Sequence, residues 1–141
     1  MKKYFIHTDG GARGNPGEGA VGAVIKTENH QLLFEISQRL GKTTNNIAEY
    51  TAVIFALEKL KENVSKLQCD SETIFQFFLD SKLVVNQLNG LYKVKENHLR
   101  ELVLKVRSLE QEIGGKIYYS LIPREKNFEA DRLVNKALDN R

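Results

Sequence analysis

Three extended runs come first and close together, and only then do helical and extended runs alternate. That order leaves few folds open. "KKYFIHTD" alternates apolar and polar residues, and "GAVGAVIKTENHQLLFEISQRL" holds two β-type runs around the polar "TENHQ". These read as neighbouring antiparallel strands. From Asn46, "NIAEYTAVIFALEKLKEN" switches to a helical period, with Thr44 or Asn45 placed as its N-cap. "TIFQFFLD" reads as a short buried strand, and "SKLVVNQL" from Ser81 as a short helix. Residues 94–113 form a long amphipathic helix with Leu99, Leu102, Val103, Val106, Leu109 and Ile113 on one face. Gly114 and Gly115 end it, "KIYYSLI" is the last strand, and "NFEADRLVNKALDN" the last helix after the loop "PREK". The predicted order is β-β-β-α-β-α-α-β-α. Helices between the later strands point to parallel pairing there, so an α/β fold with a mixed sheet covered by helices is expected.

At 141 residues the chain reads as one domain spanning 1–141. Hydrophobic residues at 41% and charged residues at 28% are those of an ordinary globular domain. A net charge of +3 permits a polyanionic partner without requiring one. The single Cys69 excludes an internal disulfide, so a reducing, cytoplasmic compartment is expected. No apolar stretch has the length of a signal peptide or a membrane span, so no membrane partner is expected. There is no internal repeat, and a monomer is expected.

The chemistry lies in the acids. The first strand ends on Asp9 and passes into "GGARGNPG", a loop with four glycines and a proline. A turn needs one or two such residues, so something is expected to approach this backbone closely. Asp80 ends a later strand in the same way. In a parallel arrangement both acids would lie at the carboxyl ends of neighbouring strands, where ligands bind. For Asp80 the plainer alternative is that it caps the following helix. Glu49 lies on the same helical stripe as Ala52, Val53, Ala56 and Leu60, which should face the core, while Glu58 and Glu62 take the outward face. Asp131 repeats the pattern with Val134 and Leu138, leaving Glu129, Arg132, Lys136 and Asp139 for solvent. An acid in a first helical turn favours the helix dipole, which explains its presence but not its side.

Two carboxylates about 4 Å apart repel by roughly 4 kcal/mol at an effective dielectric near 20. Four converging without compensation would consume much of a domain stability of about 5–15 kcal/mol. A cation is therefore expected, and oxygen-only ligands select Mg²⁺ or Mn²⁺ before zinc. His7, His30 and His98 fall on a strand, a hairpin turn and a helix start, and do not build a softer site. "GEGAVG" at residues 17–22 fits G-x-G-x-x-G formally. It follows a loop and leads into a strand, whereas the phosphate-binding version follows a strand and opens a helix. No Gly-Lys-Ser/Thr follows any glycine loop, and Ser81 lacks a nearby base for a nucleophilic role.

Taken together, "TDGGARGNPGEGAVGAV", "TTNNIAEYTAVIFAL", "FLDSKLVVNQL" and "NFEADRLVNKAL" resemble type 1 ribonuclease H over essentially the whole chain. The resemblance implies a five-stranded mixed sheet in the order 3-2-1-4-5 with helices on both faces. It implies hydrolysis of the RNA strand of an RNA–DNA hybrid with two Mg²⁺ ions, for which Mn²⁺ substitutes. By position it makes Asp9, Glu49, Asp80 and Asp131 the metal ligands and catalytic acids. Asp9 would bridge the ions, Asp131 hold the one that activates water, and Glu49 and Asp80 the other. It places Gly10, Gly11, Ala12, Asn15, Thr44, Asn45, Asn46, Ser81 and Asn127 at the substrate. Asn15, Asn45 and Asn46 would read the groove where a 2′-hydroxyl separates RNA from DNA, and Thr44 a phosphate of the DNA strand.

The chain departs from the family pattern in two places. Many relatives carry a basic, Trp-containing segment where "NGLYKVK" passes directly into the long helix, and this chain has no Trp. Many also place a histidine in the loop before the last helix, where Pro123, Arg124, Glu125 and Lys126 stand here. Arg124 is expected to take over as a fixed positive fork against a phosphate or the departing group, with Glu125 the other candidate and a plain charged surface loop the alternative. No separate hybrid-binding module is expected ahead of the domain. The competing readings are a hybrid-binding protein with a weak site and a strand-transfer or resolvase enzyme on the same fold.

Overall fold

The computed structural model describes residues 2–140. Its strands are β1 (Lys3–Gly14), β2 (Gly17–Thr27), β3 (Leu32–Thr43), β4 (Ile74–Leu79) and β5 (Lys116–Leu121), in one sheet of order β3-β2-β1-β4-β5. The first three strands pair antiparallel, while β4 runs parallel to β1 and β5 parallel to β4. The helices are α1 (Asn45–Asn63), α2 (Lys82–Leu88), α3 (Asn97–Ile113) and α4 (Phe128–Asp139), with a 3₁₀ turn at Arg124–Lys126. Element order, mixed pairing and the 3-2-1-4-5 arrangement are those expected from the sequence.

Burial explains the layering. Ile6, Ile25, Phe75 and Phe77 of the sheet pack against Val53, Leu57 and Leu60 of α1 and Leu99 and Val106 of α3. On the opposite face Ala20 packs with Val134, Ala137 and Leu138 of α4. Covered on both sides, β2 is buried from Ala20 through Ile25 and reads as an unbroken apolar and glycine run rather than an alternation. A Cβ on Gly22 would lie 2.2 Å from the Ala130 carbonyl oxygen, so α4 seats directly on the strand backbone.

Two boundaries differ from the sequence reading. β1 does not stop at Asp9. Its parallel ladder with β4 ends at His7↔Phe78, but its antiparallel ladder with β2 continues to Gly14↔Gly17, across a turn at the cis Asn15–Pro16 bond. The predicted glycine loop is therefore the tip half of a long hairpin. The helix α3 begins at Asn97, not Val94, because the Val94 carbonyl accepts from Arg100 Nε at 2.7 Å while Glu96 stands extended at the N-cap. Among the described residues no helix is long and apolar enough to cross a membrane.

Candidate active site

Strand register brings the first two acids together. Lys3 to His7 run level with Ile74 to Phe78, and two residues further on both chains reach a carboxylate, Asp9 and Asp80. Helix α1 crosses this end of the sheet. Gly10 permits the crossing, since a Cβ there would lie 2.1 Å from the Ala48 carbonyl oxygen. Close contact at Ala48 puts the next residue, Glu49, over the strand ends. Oxygens of Asp9, Glu49 and Asp80 lie within 4.8 Å of one another. Asp80 does not cap α2. Ser81 does, its Oγ accepting the Val84 N–H at 3.3 Å.

Glu49 occupies the predicted inward stripe, and it and Asp9 are each only 8% exposed. Burial, followed by the neighbouring Asp80 charge, pushes the Asp9 carboxyl up to about 7. Burial and then Asp9 hold Glu49 well above the usual carboxylate range. Glu49 Oε2 is buried with no hydrogen-bond partner among the described residues. A buried carboxylate oxygen without a donor, facing two further carboxylates, is a poor resting arrangement for protein alone and a good one for a hard cation. The all-oxygen donor set fits Mg²⁺ or Mn²⁺.

Asp131 requires a correction. The predicted stripe exists, with Val134 and Leu138 buried, but Asp131 itself is exposed and stands outside the 4.8 Å group. In its first turn α4 overhangs the cleft, so the stripe that is core further along opens onto solvent there. Asp131 Oδ2 accepts from Asn135 Nδ2 at 3.3 Å. Glu129, assigned to solvent, is half-buried and paired with Lys26 at 2.8 Å.

All four acids line one cleft of about 490 Å³, with Gly10, Gly11 and Ala12 on one wall and Asn45 and Asn46 on another. Ser81 and Arg124 complete the expected residues there. Asp9, Glu49 and Asp80 form the floor and Asp131 the edge, while exposed Arg13, Lys82 and Arg124 stand at the rim.

A family model described as "Reverse transcriptase-like" matches residues 7–137. The ribonuclease HI of Halobacterium salinarum is 35% identical over 141 residues, 98% of this chain and 65% of its own length. LC11-RNase H1, isolated from compost, in its crystal structure with an RNA/DNA hybrid is 46% identical, with a TM-score of 0.89 over 96% of each chain. The chain belongs to the type 1 ribonuclease H family. A bifunctional protein of Mycobacterium tuberculosis is 40% identical over 138 residues, 97% of this chain. The chain spans only 36% of that relative, as of the other first curated relatives it matches.

Within this ribonuclease H fold, three expected substrate residues lie elsewhere than the cleft wall. Thr44 caps α1, its Oγ1 accepting from Ile47 N at 3.3 Å. Asn15 Oδ1 accepts the Asn45 N–H at 3.0 Å, and Asn45 Oδ1 in turn accepts the Ala12 N–H at 2.9 Å. These bonds lock the hairpin tip to the start of α1, leaving the Asn45 Nδ2 donor for a cleft occupant. Asn127 is 0% exposed and cannot touch a substrate. Of the predicted close-approach glycines, Gly10 serves helix packing and Gly11 faces the cleft. Arg13, Lys82 and Asn135 were not expected at the site. Asn135 was findable, since it lies one helical turn beyond Asp131 on the same face.

Proposed function

We propose that this chain hydrolyses the RNA strand of RNA–DNA hybrids to 5′-phosphate and 3′-hydroxyl ends, using two divalent ions, Mg²⁺ or Mn²⁺. The observation that carries the reading is the buried all-carboxylate group with its orphaned Glu49 Oε2, set at the floor of a cleft with a basic rim. Asp9, Glu49 and Asp80 would hold metal at the floor, and Asp131 would contribute from the cleft edge. Ions held there would supply Lewis-acid charge at the scissile phosphate and an acidified water. The chain's own part is to place and discriminate. Arg13, Lys82 and Arg124 attract the polyanion, while Asn45 and Asn46 present amides to the sugar edge, where a 2′-hydroxyl is both donor and acceptor. A cytoplasmic monomer belongs to the same reading, its reducing compartment supported by the lone, half-buried Cys69.

Incubating end-labelled hybrid, double-stranded RNA and double-stranded DNA with Mg²⁺ tests it. Cleavage confined to the RNA of the hybrid, and lost in excess EDTA, is the expected result. Full activity in EDTA, or equal cutting of double-stranded DNA, overturns it. Hybrid retained but uncut would mark a binding protein.

Arg124 is the proposed replacement for the family's loop histidine, because it lines the cleft on the turn leading to α4. Arginine does not titrate as a general acid, its pKa lying above about 12. It acts as a fixed charge against a phosphate oxygen. Arg124→Ala is expected to lower kcat by roughly 10–1000-fold with little change in KM. Lysine should restore part of the rate, because it keeps the charge and loses the fork. Steady-state kinetics beside Glu125→Ala, expected near wild type, separates the two neighbours.

A further inference from the structure

Asn127 stands immediately before α4, at the N-cap position, with φ −104° and ψ 31°. Asparagine there normally turns its side-chain oxygen onto the first backbone N–H groups of the helix. This one does not, and no side-chain capping bond forms. Its Nδ2 instead donates to the Thr8 carbonyl at 2.9 Å and to Asp80 Oδ2 at 3.0 Å. Both partners are acceptors, so only the NH₂ end of the amide satisfies them, and the orientation follows from the bonding. The side chain is wholly buried, and its Oδ1 has no partner among the described residues. Losing a helix cap and burying an unpaired carbonyl are both unfavourable. An asparagine that accepts both is held there for something other than helix stability.

The three groups it joins are those that set the acids. Thr8 is the residue before Asp9, Asp80 is bonded directly, and Asp131 follows four residues on in the first turn of α4. From this geometry we infer that Asn127 is a positioning residue, whose amide fixes the Asp80 carboxylate in the orientation that receives a divalent ion. It ties α4, and with it Asp131, to the end of β1. Outer partners that orient a metal-binding carboxylate typically govern affinity by about 10–100-fold when removed. Asn127 never meets the substrate, so its effect should pass through the ion and leave hybrid binding intact.

This inference rests on the proposed metal-dependent reading, and calorimetric titration of the full chain with Mn²⁺ alone separates the two. In Asn127→Ala, Mn²⁺ affinity is expected to fall about 10–100-fold. At fixed Mg²⁺ kcat falls and is largely regained at high Mg²⁺, with hybrid KM within about twofold of wild type, the mark of an effect on metal occupancy. Asn127→Ser, a good cap that offers one donor in place of two, should bind with intermediate affinity and remains usable where alanine folds poorly. Leu133→Ala, a buried position on α4 that does not line the cleft, controls for stability: it should lower Tm and leave Mn²⁺ affinity unchanged. In an Asp80→Asn background Asn127→Ala should cost no further affinity. Wild type that binds Mn²⁺ while Asn127→Ala and Asn127→Ser bind equally well overturns the positioning role alone. Wild type that binds no divalent ion overturns the metal reading and this inference with it.

Discussion

Asp9→Asn is expected to reduce hybrid cleavage by at least about 1000-fold while making the metal-free protein more stable at neutral pH. The two effects have one cause. Asp9 is buried beside Glu49 and Asp80, and its carboxyl is pushed up to about 7. In the unfolded chain the same group titrates near about 3.9. Between these values the folded state binds a proton that the unfolded state has lost, so this group's contribution to stability declines as pH rises from about 4 to about 7. Above that window the full penalty is present, and below it the penalty vanishes. Asparagine has the same shape and no charge to lose, so it escapes the penalty at every pH. The metal-free variant should then be stabilised by on the order of 1–4 kcal/mol above pH 7, raising Tm by at least roughly 3–5 °C, with the gap closing toward pH 4. Mg²⁺ should reverse the order, because an ion that binds only the folded wild type stabilises it by mass action. Melting curves in EDTA and in Mg²⁺ across pH 4–8, with a hybrid cleavage assay, check each part. A variant no more stable than wild type at any pH would mean the three carboxylates do not repel as their proximity requires. Cleavage at the wild-type rate would remove Asp9 from the reaction.

Glu49 was legible in the sequence because helical period makes one strong statement, that a charge among Ala52, Val53, Ala56 and Leu60 faces inward. The same period put Asp131 on the right face and overstated its burial. A stripe defines a face of the helix, not what covers it, and at the first turn of α4 nothing does. Strand ends failed for a related reason. Parallel pairing with β4 stops where Asp9 was expected to end the strand, but β2 remains as partner and carries β1 on to Gly14. A strand ends when its partners do, and partners are not written in the local pattern. Asn127 lay further out of reach. Its bonds go to Thr8, 119 residues away, and to Asp80, 47 away, and only the closed fold reveals an N-cap asparagine that does not cap. The family resemblance placed it at the substrate, and burial moved it behind the acids.

Gly10→Ala should damage the site as severely as loss of a ligand, although Gly10 has no chemistry of its own. An added Cβ would lie 2.1 Å from the Ala48 carbonyl oxygen, 2.3 Å from its carbon and 2.6 Å from Glu49 N. All three are backbone atoms, so no side-chain rotation relieves the overlap, and α1 must withdraw from β1 by about 1 Å to reach ordinary contact. Overpacking of this kind costs about 1–3 kcal/mol. The displaced segment is the one that carries Glu49 to Asp9 and Asp80, and a 1 Å misplacement in a catalytic arrangement costs on the order of 100-fold in rate. Gly10→Ala is therefore expected to lower Tm, to weaken Mn²⁺ binding in calorimetry, and to cut kcat about 100-fold. Gly11→Ala is the matched comparison. Its Cβ would meet nothing nearer than Asn45 Oδ1 at 4.0 Å, so stability and metal affinity should hold and any change should appear in the hybrid's KM. If both variants lose metal affinity alike, the hairpin rather than the helix contact sets the acids. If Gly10→Ala binds metal like wild type, the seating of α1 on Gly10 is not what brings Glu49 to the cluster.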